Sequence, residues 1–207
     1  MKHYYLYMDT SDHLVVGLLN ESFDWVDFLE LEGAKNSGRI HAAIYDMLKK
    51  AGLEAKNLKA VFQNAGPGSY TGMRVSEGIS QILEWEGIPV YSFFHFEVPS
   101  FLGIESGKWL AKAFKGEFFI FSWNQGSEEK VLVDLTTAKE AIKTQKTYCH
   151  FRKSLEKDFA DELSSFEETG ELIKNQGAKI FSLVLAKARR LSPYYFRTID
   201  QEFKVPR

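Results

Sequence analysis

The segment NAGPGSYTGMRVSEGISQ, residues 64–81, joins an apolar run at Ala60–Phe62 to a stretch of helical periodicity, with Gly66, Gly68 and Gly72 at the junction. A glycine-bearing turn between strand and helix points backbone amides at a helix N-terminus, a geometry that suits an anion. The two familiar versions of that turn are absent. A Walker loop needs G-x-x-x-x-G-K-[ST], but neither Gly66 nor Gly68 has a glycine five residues on, and Met73-Arg74 follow Gly72. The dinucleotide fingerprint G-x-G-x-x-G fails because Gly72 comes one residue late. Pro67-Gly68 favours a tight turn with glycine at positive φ, and Ser69 or Thr71 can cap the helix. Gly72 permits close backbone approach, and Arg74 stands one turn on. Two readings follow: an anion cradle, or plain packing of strand to helix.

Around this junction the first hundred residues read βββαβαβ. YYLYMD and LVVGLLN are strands joined by the tight link Asp9–His13, and DWVDFLEL is a third. Ile40, Ile44, Met47, Leu48 and Ala51 repeat on one face of a helix over about 39–51; Asn36 or Ser37 can cap it and Gly52 stops it. LKAVFQNA is a fourth strand. The helix after the loop carries Val75, Ile79, Ile82 and Leu83, and IPVYSFF is a fifth strand. This pattern predicts an α/β fold, a mixed sheet with helices packed on it. Beyond residue 103, KWLAKAF and EFFIFSW form a hairpin turning near Lys115-Gly116, KVLVDL is a strand, and TAKEAIK is a short helix capped by Thr136 or Thr137. Residues 150–177 read as a charged periphery. A last helix over about 178–191 aligns Phe181, Val184, Leu185 and Ala188 until Ser192-Pro193 ends it.

At 207 residues the chain is long enough for one large domain or two lobes. A single cysteine, Cys149, excludes a disulfide framework and a multi-cysteine zinc site. It is read as a small buried hydrophobe. No signal-peptide core and no span of membrane length is seen, so a cytoplasmic protein with no membrane partner is expected. The net charge of −2 argues against a dedicated nucleic-acid binder. Residues 178–207 depart from that average: Lys179, Lys187, Arg189, Arg190, Arg197, Lys204 and Arg207 stand against Asp200 and Glu202, a net of +5 on a body of −7. Such a tail suits an acidic partner or RNA, or simply complements a helix C-terminus.

AGPGSYTGMRV, residues 65–75, resembles the signature of the TsaB (YeaZ) family, roughly G-P-G-S-[FY]-T-G-[LVM]-R-[IV]-G. YMDTS at 7–11 resembles the family's opening I-D-T-S, PYYFR at 193–197 its closing P-x-Y-L-R, and GEFFIFS at 116–122 one of its later strands. The similarity runs over residues 4–96 and 178–197. It implies a two-lobed actin-like (ASKHA, ribonuclease-H-like) fold: a first lobe at 1–102 with the loop and two docking helices, and a smaller second lobe at 103–207 whose final helix packs back on the first. It also implies a non-catalytic partner of the ATPase TsaD. With the ATPase TsaE, that pair transfers threonylcarbamoyl to the tRNA adenosine beside the anticodon, from a donor made by TsaC. The resemblance leaves open whether such a chain alone forms a homodimer, and implies that it meets tRNA only through the complex. It departs from the family at Ile82 and Glu84, where residues are usually small, at Asn36-Ser37 for His-Ser, and at Lys112-Ala113-Phe114 for D-A-R.

Under that resemblance, Ile40, Ile44 and Met47 of the first helix and Gly72, Met73, Ser76, Ile79, Ser80 and Leu83 of the second are the candidate partner interface. Gly72, Ser76 and Ser80 recur at i, i+4, i+8 as a small-residue stripe, and Ile79→Asp is expected to abolish docking with the fold intact. No catalytic residue is assigned. No cofactor is expected on the isolated chain; ATP or ADP with Mg2+ is expected only at the partner interface, through Asp9, Thr10, Ser11, Gly66, Gly68, Ser69, Thr71, Gly72 and Arg74.

Two other function classes are weighed against this one. An actin-like small-molecule kinase or ATPase would need a glycine-bearing first turn and a Gly-Gly loop; the turn here is DTSDH, and no Gly-Gly pair occurs. A glycoprotease-like metallopeptidase would need a metal. TsaD-like relatives carry H-x-x-x-H where this chain has His95 and Pro99, and His95 with Glu97 falls short of a ligand set. His41 and His150 have no partner near in sequence, so no metal site is expected.

Overall fold

The computed structural model describes residues 3–31 and 36–196. Arg197, Asp200, Glu202, Lys204 and Arg207 of the basic tail lie outside the described residues, as do the side chains of Asn36 and Ser37. The first lobe runs β1 (Tyr4–Asp9), β2 (Leu14–Leu19), β3 (Trp25–Leu31), α1 (Ile40–Lys50), β4 (Leu58–Asn64), α2 (Tyr70–Trp85) and β5 (Val90–Phe93). β1 is central. β2 and β3 continue antiparallel on one side, β4 and β5 parallel on the other.

A short helix, α3 (Val98–Phe101), leads into β6 (Ser106–Lys112), β7 (Phe118–Asn124), β8 (Ser127–Val133), α4 (Leu135–Ile142), β9 (Thr147–Cys149), α5 (Glu156–Phe159), β10 (Glu167–Glu168) and α6 (Thr169–Lys187). Its sheet, β8-β7-β6-β9-β10, repeats the strand order and directions of the first sheet, β3-β2-β1-β4-β5. Two copies of one mixed topology, with helices at equivalent connections, make the two-lobed actin-like α/β fold.

Period-two alternation assigns each strand face. Tyr5 and Tyr7 of β1, Phe62 of β4, Trp109 of β6, and Phe119, Phe121 and Trp123 of β7 meet in one aromatic core between the sheets, which α6 shares through Ile173, Ile180, Phe181 and Val184. The alternate residues Leu6, Met8 and Val61 face α1 and α2, and Leu110, Phe118, Ile120 and Cys149 face α4 and α5. The central strands of both sheets are thus covered on both faces. That is why β1 and β2 read as near-continuous apolar runs.

Some local expectations change. Helix α6 starts at Thr169, nine residues before the expected 178, because the backbone leaves helical geometry at Gln176 (φ −127°) and interrupts the apolar period. Residues 150–177 are correspondingly not a periphery: Leu155, Phe159 and Phe166 are buried in the outer core of the second sheet. Asp134, not Thr136 or Thr137, caps α4, accepting from the Thr137 amide at 2.8 Å. Ser69 caps α2, accepting from the Gly72 amide.

Candidate functional site

The carboxyl ends of the parallel strands from both sheets converge, the place where open α/β sheets carry their sites. Asp9 ends β1, His95 follows β5, and His150 follows β9. Asp9 Oδ2 lies 2.7 Å from His95 Nε2 and 3.2 Å from His150 Nε2, and the imidazole centroids are 3.6 Å apart. All three side chains are buried, and their donor atoms fall within 4.8 Å of one another. Ser11 donates to Asp9 Oδ1 at 2.7 Å and lies 3.3 Å from His150 Nδ1. His95 Nδ1 is 3.0 Å from Thr169 Oγ1, at the start of α6. Burial works against charge on Asp9, but His150 and His95 outweigh it and hold the carboxyl well below its usual range. Burial, with His150 adding, pushes His95 down to about 4 against the pull of Asp9, so its imidazole is neutral at pH 7.

His95 and His150, which have no partner near in sequence, find one in space. Their common partner, Asp9, is 86 residues from His95, and only the paired sheets bring it there. Glu97 is no ligand, because it accepts from the Phe94 amide and pairs with Arg189 at 2.6 Å. Cys149 is buried, and burial drives its thiol up to about 12, which leaves no thiolate for nucleophilic work.

The glycine loop lies against this cluster and holds it from one side. A Cβ on Gly68 would collide with the Ser11 carbonyl, and one on Gly72 with the Thr10 carbonyl. The Ser69 amide donates to the Ser11 carbonyl at 2.5 Å, and Thr10 donates to the Gly72 carbonyl at 2.7 Å. Gly66 has φ +101°, and its carbonyl accepts from the His95 amide. The glycines thus let α2 seat on the Asp9–Thr10–Ser11 turn. Among the expected nucleotide contacts, Asp9, Thr10 and Ser11 already bond within the fold. Thr71 and Arg74 are exposed, and Arg74 donates to the Tyr70 hydroxyl at 2.9 Å. A cavity of about 400 Å3 lies between the lobes, with Ser11, Gly68 and Ser69 on one wall and Phe114, His150 and Ser154 on the other.

The proposed interface stripes face inward. Ile40, Met47, Met73, Ser76, Ile79, Ser80 and Leu83 are buried, with Gly72, and Ile44 is half-buried against the same core. The sheet needs the apolar side of each helix and takes it. Ile79 is 6% exposed, so Ile79→Asp would put an unpaired carboxylate in the core and unfold the lobe rather than only block docking. The outward sides carry other residues: Tyr45 of α1 is 63% exposed, and Ile82 and Trp85 of α2 are 52% and 83% exposed. Gly78 shares that side of α2, with open space where a Cβ would stand.

The described part of the basic segment is engaged within the chain. Arg190 pairs with Glu77 and Glu84 of α2 at 2.8 and 2.9 Å, and Arg189 with Glu97. Arg190→Ala is expected to lower stability by about 1 kcal/mol, seen as a reduced urea midpoint at unchanged slope.

No protein-family model matches the chain, and no curated protein matches it. Solved structures do. A Pseudomonas aeruginosa protein described as similar to the peptidase YeaZ superposes with a TM-score of 0.62 at 16% identity, over 95% of this chain and 99% of that one. YeaZ from Pseudomonas aeruginosa superposes at 0.60, also at 16% identity, over 94% and 99%. The likeness is one of fold, and it spans nearly the whole of each chain. Among the described residues, no helix is long and apolar enough to cross a membrane.

Proposed function

We propose that this chain is a non-catalytic, TsaB-type subunit that docks on an actin-like ATPase of the TsaD kind. In this reading it works with a TsaE-like ATPase in transferring threonylcarbamoyl to the tRNA adenosine beside the anticodon. ATP or ADP, with Mg2+, belongs to the assembled complex, and tRNA is met only there. The YeaZ-like fold supports this reading, as do the GPGSYTGMR motif and its flanking matches.

The observation that carries it is the outward side of α1 and α2. Both helices pack on the same face of the first sheet, yet Tyr45, Ile82 and Trp85 remain exposed. Large apolar and aromatic side chains of this kind dominate the energy of protein interfaces when a partner buries them. Gly78, between Arg74 and Ile82 on that side, lets a partner helix come close. The substituted Ile82 and Glu84 alter this surface from the usual small residues, so contact is made through side chains rather than by a very close helix crossing.

Trp85→Asp and Ile82→Asp are the test, because both side chains are exposed and their loss leaves the fold within about 0.5 kcal/mol. Each is expected to weaken binding to the TsaD-like ATPase by about 30-fold or more, as for a central interface residue worth at least about 2 kcal/mol. Sedimentation velocity of the mixture reads this directly. The same variants should convert any homodimer of the isolated chain to monomer. Wild-type affinity in both variants would overturn the docking surface.

A further inference from the structure

The docking reading leaves the Asp9–His95–His150 cluster without a task, and its hydrogen bonds show where the protons are. Thr169 Oγ1 lies 3.0 Å from the Cys149 carbonyl. A carbonyl cannot donate, so the single Thr169 hydroxyl hydrogen is committed there. Thr169 is therefore the acceptor toward His95, and His95 carries its proton on Nδ1. The same logic holds at His150. Ser11 spends its hydrogen on the Asp9 carboxylate, so His150 Nδ1 donates to Ser11. Nδ1 of each imidazole is thus the nitrogen held from behind, and each Nε2 faces one carboxylate oxygen, Asp9 Oδ2, where a metal ion can take the place of a shared proton. His150 Nε2, almost fully buried, has no hydrogen-bond partner. Three buried donor atoms of the kinds that ligate metal ions therefore converge at one point.

We propose that Asp9 Oδ2, His95 Nε2 and His150 Nε2 bind one divalent first-row transition metal ion, with Zn2+ as the reference ion. Two imidazoles and a carboxylate are the donor set such ions prefer, whereas Mg2+ and Ca2+ favour all-oxygen shells. Neighbouring donors around tetrahedral zinc stand about 3.3 Å apart for bonds of about 2.0–2.1 Å. The 3.2 Å pair already matches this, and the 2.7 Å pair needs to open by a fraction of an ångström. Thr169 and Ser11 fix the ring tautomers from behind, as hydrogen-bond acceptors behind metal-binding histidines do. Ser11 and His150 also line the interlobe cavity, which supplies a route in and space for a water or a substrate oxygen in the remaining position. Asp9 and His95 come from the first lobe and His150 from the second, so the ion ties the two lobes together.

The test is titration of the metal-free full-length protein with Co2+, followed by displacement with Zn2+. The expected result is one Co2+ per chain, with visible ligand-field bands that vanish as Zn2+ is added, and a higher melting temperature in Zn2+. His95→Gln and His150→Gln should abolish the bands. Thr169→Val, nearly isosteric and outside the ligand set, should weaken binding about 10- to 100-fold by releasing the His95 ring. Circular dichroism of each variant verifies that it is folded. Absence of stoichiometric binding by the folded wild type would overturn the proposal, and so would bands that persist in both histidine variants.

Discussion

Gly72→Ala is expected to lower the melting temperature by roughly 6–12 °C, for a loss of about 3 kcal/mol in a chain of this size. Helix propensity alone predicts the opposite sign, since alanine within a helix is worth about 1 kcal/mol over glycine. The clash wins because the new methyl meets the Thr10 carbonyl, which is backbone and cannot rotate away. Helix α2 would have to lift from the Asp9–Ser11 turn, losing the bond from Thr10 to the Gly72 carbonyl. Gly78→Ala, six residues further along the same helix, is the control. Its methyl meets open space, so a gain of about 1 kcal/mol is expected. Equal effects at the two sites, measured by thermal and urea denaturation, would show that the loop glycines do not serve close packing.

Phe181→Ala should cost about 3–5 kcal/mol. Phe181 is fully buried in the middle of α6, stacked on Phe62 at 4.9 Å and packed against Tyr7 at 5.3 Å and Trp25 at 5.6 Å. The ring fills space on three sides, and a Cβ on Gly177 would stand only 3.2 Å from it, so the site is tightly packed. The loss should appear as a lower urea midpoint together with faster proteolysis after residue 187, since α6 holds the C-terminal segment to the first sheet. A cost under about 1 kcal/mol would mean that α6 is not part of the central core.

The first lobe was legible in the sequence because its signals are local. Each strand of the first sheet is a short apolar run, and the α1 and α2 stripes have a clean helical period. The second lobe was less so, because β9 and β10 are only three and two residues long and the kink at Gln176 breaks the α6 period. The cluster was invisible for a different reason. Asp9, His95 and His150 meet through the order of strands in two sheets, and no spacing along the chain encodes that. The residues expected to form an interface lie in the core for a physical reason: a helical apolar stripe shows which side is buried, and the sheet beneath it is the first claimant. The informative signal was the apolar residue off the stripe. Trp85 closes α2 on its wet side, and Tyr45 interrupts the polar side of α1.

The most direct test of the central claim is reconstitution of threonylcarbamoyl transfer from its purified parts. The TsaD-like and TsaE-like ATPases, ATP with Mg2+, the threonylcarbamoyl-adenylate donor and unmodified tRNA are combined with and without this chain. Modified adenosine is then measured by mass spectrometry of the digested tRNA. The account predicts product that depends on the chain and is lost with Trp85→Asp. Equal product in its absence, or no product and no complex in its presence, would contradict it.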